Sequence, residues 1–483
     1  MNYRATVYYL GTICKVVSAF LVVPAIASAC FGEWAEILDF LYTAIVFLGV
    51  GFAFAPKSPK NKKLGSKEGI LIVGLSWILV SLIGALPFVF DGSIPNYLDA
   101  VLETVSGFTT TGATVIADVE SLPHGLLVWR SLTHWLGGMG ILVFILAVMP
   151  ASDGSAFQLM KFESPGPQVG KLVSKVRLSA AILYVIYFAL TVLEVIFLLC
   201  GGMSFFDSFN LALSTAGTGG FAVTNDSIAA YGSVYIEIVL AVFMLIFSVN
   251  FNVYYMIAIR RFSAAAKNEE LRSYLIYIVV CILAVAVSMT SALGSFWEAL
   301  RQSMFAVTSI GSSTGFTTVD YAQWTELSKA LLTIVMLIGA CAGSTGGGFK
   351  FSRAIVVVKA AYVTMLSSIR PNSVCVVKLN KKPLSKAETD GIVSYFLVYI
   401  LLIILSVFLL NAFGNSFSSS FYTTLTMFNN VGPNLSADVG ATATCAGFNW
   451  GSKIVMIADM LIGRLEIFPV LLLFSPKAWS KRF

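Results

Sequence analysis

Two lengths of apolar run alternate along this chain. Runs such as 126–149 are long enough to cross a bilayer as a helix, whereas runs such as 97–105 are too short. A short run followed by a glycine-containing turn and a long run is typical of a re-entrant hairpin. The long runs predict two N-terminal helices near 6–31 and 36–54, four outer helices near 69–90, 178–199, 271–293 and 390–413, and four inner helices near 126–149, 234–259, 327–365 and 452–474.

The short run and its turn occur four times. Gly112, Gly220, Gly315 and Gly432 occupy equivalent places, at intervals of 108, 95 and 117 residues, which indicates an internal repeat. Because glycine accepts positive φ, such a turn can aim backbone carbonyls at one axis and replace the hydration shell of a cation. We therefore predict a cation filter built from four residue pairs, Thr111 with Gly112, Gly219 with Gly220, Thr314 with Gly315 and Val431 with Gly432.

The repeats predict the fold class and its division. We expect an all-α integral membrane protein with four tandem helix–pore loop–helix repeats around a pseudo-fourfold pore, preceded by an N-terminal helix pair. The expected units are 1–68 for the helix pair and a basic loop, 69–177, 178–270 and 271–388 for the first three repeats, and 389–483 for the fourth.

Composition supports a membrane protein independently of the repeats. The chain is 57% hydrophobic and only 12% charged, with a mean hydropathy of +0.85. The net charge of +6 lies mostly in connecting loops, so nucleic acid is not an expected partner. The seven cysteines and the two histidines, His124 and His134, lack metal-binding spacing and are interpreted as structural.

Lysine and arginine predict the orientation of the chain. The loops 56–68, 150–177, 260–272 and 350–388 hold 5, 4, 4 and 8 of these residues. The opposite face, which carries the four turns, holds only Arg130, Arg301, Lys329 and Lys453. By the positive-inside rule, both termini of a ten-crossing chain are expected in the cytoplasm and the turns on the outside.

A glycine-rich segment interrupts the third inner run. Residues 339–348 contain five glycines in ten, which oppose a continuous helix by roughly 4–5 kcal/mol. We predict a broken helix and a gating loop inside the membrane. Close helix packing through small residues is the alternative interpretation. The predicted gate residues of this segment are Gly343, Ser344, Thr345, Gly346, Gly347 and Gly348.

Arg464 is an arginine within an apolar inner run, which makes it a functional candidate. It lies 32 residues after Gly432, and the glycine-rich segment lies at a similar offset from its own turn, so we expect equal depth. Beneath a filter, its charge would raise the barrier to cations. Alternatively it snorkels, or pairs with Asp459 or Glu466. The same offset in the second repeat falls on Asn252, with Asn250 close by, and we predict both as cavity-lining residues.

Taken together, these motifs carry a specific resemblance. The chain resembles the TrkH/KtrB family of potassium-translocating subunits in the Trk/Ktr/HKT superfamily, over nearly its whole length. The N-terminal helix pair makes it more similar to the TrkH branch. The resemblance rests on the segments 110–114, 219–221, 314–318, 430–433, 343–348 and 463–466.

The resemblance implies potassium uptake across the bacterial inner membrane. It implies potassium as the transported ion with no covalently bound cofactor, a homodimer in the lipid bilayer, and a TrkA-like cytosolic nucleotide-binding regulatory subunit. It further implies a gate in which the loop opposes Arg464. In plant HKT relatives, a serine in place of the first filter glycine accompanies sodium preference, so Gly112 favours potassium. Ala216-Gly217-Thr218 departs from the bulkier residues expected before the second glycine pair.

Other classes of protein fit less well. A secondary transporter would need inverted repeats with midplane carboxylates, whereas these repeats run in one orientation. The potassium-binding subunit of a P-type ATPase shares the four-loop plan and stays an alternative, as does a less selective potassium and sodium translocator. No enzyme is expected, because the sequence shows neither a nucleophile with its base nor a metal cluster.

Overall fold

The computed structural model describes residues 2–57, 59, 64–140, 176–369, 375–440, 444–473 and 475. These residues are overwhelmingly helical. Within the described ranges the β structure is one short antiparallel hairpin, Lys378–Leu379 with Lys382–Pro383. The all-α membrane fold with four pore-loop repeats and an N-terminal helix pair is therefore confirmed.

Most of the predicted crossings are present as long apolar helices. Within the described residues, seven helices are long and apolar enough to span a membrane, and a bent pair makes an eighth. Among the described residues, the first and fourth inner helices are not found as candidate spans, so the count of ten crossings stays a prediction. The seven spans are Tyr3–Phe31, Trp34–Phe54, Lys67–Asp91, Leu178–Cys200, Glu269–Leu293, Phe351–Ile369 and Lys386–Ala412.

The N-terminal pair packs through small residues. A Cβ on Gly11 would lie 2.8 Å from the Gly51 carbonyl oxygen, so the two helices can approach closely only because these positions carry no side chain. At the other end of the pair, Glu33 accepts hydrogen bonds from the backbone N–H groups of His124 at 2.8 Å and Gly125 at 3.2 Å. The pair is thus fastened to the start of the first inner helix.

Four short helices lie inside the ring of longer ones. Three begin at a capping side chain, Asn96, Ser204 or Ser416, which accepts from a backbone N–H of the first turn. Their C-terminal halves are buried on every side, whereas the outer helices expose apolar side chains as lipid-facing helices do. These pore helices are Tyr97–Phe108, Phe205–Gly217, Phe296–Gly311 and Phe417–Phe428.

The inner helices are more broken than predicted. The third is interrupted as expected, but the prediction of continuous second and fourth inner helices was wrong. The second bends by 92° at Val249, and the fourth is divided at Glu466, where φ is +67°. The described part of the first ends at Gly140, and the remainder of 126–149 lies outside the described residues. Their segments are His124–Met139, Val234–Ser248, Phe251–Ala258, Glu326–Ile338, Phe351–Ile369, Trp450–Leu465 and Ile467–Leu473.

The remaining elements are connectors. A short helix continues the first outer helix, another follows the bent second inner helix, and 3-10 turns lie between three of the turns and their inner helices. The outer helices and connectors are Ser66–Gly84, Leu86–Asp91, Val176–Cys200, Ser227–Tyr231, Phe262–Ala266, Glu269–Leu293, Tyr321–Gln323, Lys386–Ala412 and Cys445–Gly447.

Glu33→Ala should loosen the N-terminal pair. Hydrogen bonds to a charged group contribute about 1.5–3 kcal/mol, so a loss of roughly 2 kcal/mol is expected. Thermal unfolding of the purified protein in detergent measures it. Glu36→Ala, in the first turn of the helix that Glu33 precedes, is the matched control. Equal melting temperatures for the two variants would contradict the fastening role of Glu33.

Candidate functional site: four turns and an intramembrane loop

The four pore helices end in the same way. In each, a backbone N–H donates to the carbonyl of the residue five positions earlier, which is the 6→1 hydrogen bond of a Schellman motif. The four bonds have nearly equal lengths, from 2.8 to 2.9 Å. They run from Thr111 to Ser106, from Gly219 to Ser214, from Thr314 to Ser309 and from Val431 to Thr426.

Each turn contains a strained residue. Thr110, Thr218, Ser313 and Asn430 have φ of 57°, 55°, 60° and 53°, in the left-handed region that non-glycine residues rarely adopt. Such strain costs of order 1–3 kcal/mol per residue and is found mainly at functional sites. Two residues later comes the predicted glycine, again with positive φ in all four turns, between 81° and 95°. The repeats therefore share backbone geometry as well as sequence.

The four glycines and their neighbours form a closed ring. A Cβ built on each glycine would collide with the backbone carbonyl oxygen of the residue before the glycine of another turn. The succession returns to its start, which requires the turns to surround one axis. The collisions are Gly112 with Gly219 at 2.1 Å, Gly220 with Thr314 at 2.1 Å, Gly315 with Val431 at 1.9 Å and Gly432 with Thr111 at 2.5 Å.

All eight predicted filter residues thus lie together, and the four glycines line a single pocket. We call this pocket the vestibule. Its wall continues along the segments that leave each turn towards the inner helices. Besides the glycines, its lining includes Thr114, Arg130, Phe221, Ala222, Thr317, Thr423, Pro433 and Asn434.

His134 explains the unusual sequence before the second glycine pair. A Cβ on Gly217 would lie 2.2 Å from the His134 carbonyl oxygen, and one on Gly219 would lie 2.1 Å from its ring Nδ1. The imidazole also bonds to the Gly107 carbonyl at 2.9 Å and accepts from the Phe221 N–H at 3.3 Å. The small residues of the second turn therefore make room for a histidine that supports two turns.

The glycine-rich segment forms a loop inside the protein. Gly339, Gly343 and Gly348 have positive φ, so no helix continues through it. The loop pairs with the break in the second inner helix, because the Cys341 N–H donates to the Ser248 carbonyl at 3.1 Å. In return, the Phe251 N–H donates to the Gly343 carbonyl at 3.0 Å.

The same pairing gives the physical reason for the bend at Val249. A helix break inside a membrane persists where neighbouring groups satisfy the freed backbone, and here the loop does so. The Asn250 side chain caps the next helical segment by accepting from the Asn252 N–H at 3.0 Å, and it packs against Gly343. A cavity-lining role for Asn250 and Asn252 stays a prediction.

Arg464 reaches the loop. Its guanidinium donates to the Thr345 carbonyl at 2.8 Å and to the carbonyls of Gly137 and Gly138 at 2.5 and 2.6 Å. The carboxylates considered as partners in the sequence have other contacts. Glu466 pairs with Arg353, and Asp459 accepts from the Ser406 hydroxyl at 2.6 Å.

Comparison with known proteins gives a decisive result. The sequence model of the TrkH family, described as cation transport protein, matches residues 37–482. This chain belongs to the TrkH family. It is 33% identical over 490 residues to the Trk system potassium uptake protein TrkH of Salmonella typhimurium, with full coverage of both chains. It is 30% identical to an uncharacterized cation transporter of Methanocaldococcus jannaschii, covering 97% of this chain and 94% of that one.

A solved structure agrees with this membership. The crystal structure of the potassium transporter TrkH from Vibrio parahaemolyticus superposes with a TM-score of 0.90 at 29% identity, covering 99% of this chain and 100% of that chain. The family assignment made from the motifs is therefore confirmed.

Several contacts of this TrkH-family site were missed from the sequence. Lys350 is buried and donates to the Gly346 carbonyl within the loop, and Glu270 accepts from the Ala342 N–H at 2.7 Å. Glu103 and Arg130 form a buried ion pair beside the first turn. Each is an ionisable residue at or inside an apolar stretch, and that signal alone could have found them.

Gly315→Ala should disrupt the ring of turns. A methyl group there would meet the Val431 carbonyl at 1.9 Å, so cation flux through reconstituted protein should be lost. Gly432→Ala, with its nearest contact at 2.5 Å, should lose less.

Gly92→Ala is the matched control for these variants. Its φ is +83°, but nothing lies within 4 Å of the new methyl group. It therefore carries only the left-handed strain of about 1–2 kcal/mol. Rubidium uptake into proteoliposomes separates the variants. Similar uptake by Gly315→Ala and Gly92→Ala would contradict the importance of the ring.

Proposed function

We propose that this chain is a gated, cation-selective pore for potassium uptake, with its filter at Gly112, Gly220, Gly315 and Gly432. The observation that carries the proposal is the closed ring, in which each glycine faces the backbone carbonyl of another turn. Backbone carbonyls around one axis are the ligands that replace water around a dehydrated monovalent cation. The names of the full-length relatives, Trk system potassium uptake proteins, support potassium as that cation.

Electrostatics favours cations at the vestibule without any carboxylate in the filter. The buried C-terminal ends of the four pore helices lie directly before the turns, so their partial negative charge acts next to the proposed filter. The basic residues of the turn-bearing face are locally neutralised. Each of the four lies in an ion pair, Arg130 with Glu103, Arg301 with Glu237, Lys329 with Glu326 and Lys453 with Asp99.

The gate in this proposal is the loop 339–348 together with Arg464. Gly343, Ser344, Thr345, Gly346, Gly347 and Gly348 are the loop residues assigned to it. The guanidinium bonds to the loop through Thr345 and to the end of the first inner helix through Gly137 and Gly138. A fixed positive charge there opposes the passage of cations, and its release from the loop would lower that barrier.

The membrane, the orientation and the partners of the pore are proposed from the family and from the distribution of basic residues. We propose a homodimer in the bacterial inner membrane, with both termini in the cytoplasm and a TrkA-like nucleotide-binding regulatory subunit. The relatives' designation as parts of a Trk system supports the partner. Membership of the TrkH family favours this over the P-type ATPase subunit, and it favours a transporter over an enzyme. We keep the proposed division into 1–68 for the helix pair and basic loop and 69–177, 178–270, 271–388 and 389–483 for the four repeats.

Arg464→Ala should raise basal rubidium flux in proteoliposomes. If the guanidinium contributes about 1.4 kcal/mol to the barrier, the rise is roughly tenfold. Arg464→Lys should lie between this variant and the original protein, because the ammonium keeps the charge but lacks the forked donors. Arg260→Ala, at an exposed arginine, serves as the control. Unchanged flux in Arg464→Ala would remove Arg464 from the gate.

Ion preference tests the pore itself. Each repeat supplies a single glycine-centred turn, which holds fewer carbonyl layers than the Thr-Val-Gly-Tyr-Gly filter of tetrameric potassium channels. Reversal potentials in potassium, rubidium and sodium gradients should therefore rank potassium and rubidium together above sodium, with weaker discrimination than in those channels. Preference for sodium would exclude potassium uptake, and co-purification with an ATP-driven pump subunit would favour the P-type alternative.

A further inference from the structure

A buried ion pair lies directly behind the first turn. Glu103 is on the first pore helix and Arg130 on the first inner helix, and they are 1% and 2% exposed. The Arg130 Nε donates to a Glu103 carboxylate oxygen at 2.9 Å. Removing two charges from water is costly even when they pair, and intramembrane charges generally mark function. The pair therefore calls for a role beyond packing.

Glu103 holds the segment that leaves the first turn. Its carboxylate accepts from the Thr114 hydroxyl at 3.0 Å and from the Val115 N–H at 2.9 Å. Thr114 and Val115 follow Gly112 by two and three residues. The carboxylate thus fixes the exit of the first turn through a backbone and a side-chain donor.

Arg130 holds the second turn as well as the first. Its guanidinium donates to the Ala222 carbonyl at 3.3 Å and to the Thr114 hydroxyl at 3.4 Å, and it lies 4.0 Å from the centre of the Phe221 ring. Phe221 and Ala222 directly follow Gly220. The ion pair therefore joins the exits of two neighbouring turns.

The guanidinium also borders the vestibule. Arg130, Thr114 and Ala222 line the pocket that the four glycines share. A cation entering the ring of turns therefore passes a positive group whose paired carboxylate is Glu103, behind it. Counted from the glycine of each turn, the position equivalent to Glu103 is Leu211, Ala306 or Thr423 in the other three repeats. The position equivalent to Arg130 is Ile238, Thr333 or Trp450. The charged pair is therefore specific to the first repeat.

We propose that Glu103 and Arg130 form a charge-balanced brace that determines how cations enter the filter. The brace rests on the proposed pore function and deepens it. Its geometry positions the first and second turns, and its neutrality prevents the guanidinium from repelling the incoming ion. Both are positioning residues, since they act on the ion through the turns and through the local charge.

The two halves of the brace make opposite electrostatic predictions. Glu103→Gln leaves the guanidinium unbalanced beside the vestibule, so rubidium flux should fall and block by barium should weaken. Arg130→Gln leaves a carboxylate beside the vestibule, and because hard divalent cations prefer oxygen ligands, barium block should strengthen. The double variant restores neutrality and should return barium block towards that of the original protein. Loss of packing alone would move both single variants in one direction.

The experiment uses the full chain reconstituted in liposomes. Rubidium uptake is measured across a barium series for the original protein, both single variants and the double variant. The expected shift in half-blocking barium concentration is roughly fivefold in each direction. Glu298→Gln is the control, because Glu298 is an exposed carboxylate in the first turn of the third pore helix and lies outside the vestibule lining.

Charge-retaining variants keep the test decisive if neutral variants fail to fold. Arg130→Lys and Glu103→Asp preserve the charge but change the geometry, so barium block should stay while discrimination between potassium and sodium falls. Block shifts of the same sign in both neutral variants, or unchanged discrimination in both charge-retaining variants, would overturn the brace. Absence of rubidium uptake by the original protein would instead overturn the proposed function.

Discussion

Hydrogen bonding of the backbone at membrane depth is the constraint on which the rest of this structure depends. A membrane interior offers no water to a broken helix, so each freed N–H and C=O group needs a partner within the protein. This chain ends four pore helices inside the fold and, within its described residues, breaks three inner helices as well. The turns satisfy themselves through the Schellman bonds, and the loop and the bend at Val249 satisfy each other. The repeats are therefore interdependent.

The same constraint accounts for the strain in the turns. Threonine at φ near +55° is unfavourable, and a glycine at Thr110 or Thr218 would remove the strain. A side chain at this position has other uses, however. Asn430, the equivalent residue of the fourth turn, donates both to the Thr111 hydroxyl and to the Met460 carbonyl at 3.0 Å. It thereby joins the last turn to the first and to its own inner helix, which closes the ring between the two ends of the repeat series.

The sequence predicted the features that depend on the backbone preferences of single residues. The four glycines revealed the turns, and five glycines in 339–348 revealed the loop, because glycine has a backbone preference of its own. The bend at Val249 carries no such signal. Neither glycine nor proline is present there, and the break persists because loop residues from the next repeat bond to it. The Glu103–Arg130 pair likewise joins residues on two helices, and only their charge in apolar surroundings hinted at it.

The contacts of the loop imply that the proposed gate and the proposed filter do not move independently. The Gly347 N–H donates to the Ser313 hydroxyl at 2.5 Å, and a Cβ on Gly347 would lie 2.3 Å from the Asn429 carbonyl oxygen. Ser313 and Asn429 belong to the ends of the third and fourth pore helices, so the loop rests against the back of two turns. If the loop leaves this position, the Ser313 hydroxyl loses its donor at the most strained point of its turn. On the proposed function, opening of the gate should therefore change the geometry of the proposed filter, which would couple permeation to selectivity in a single structural step.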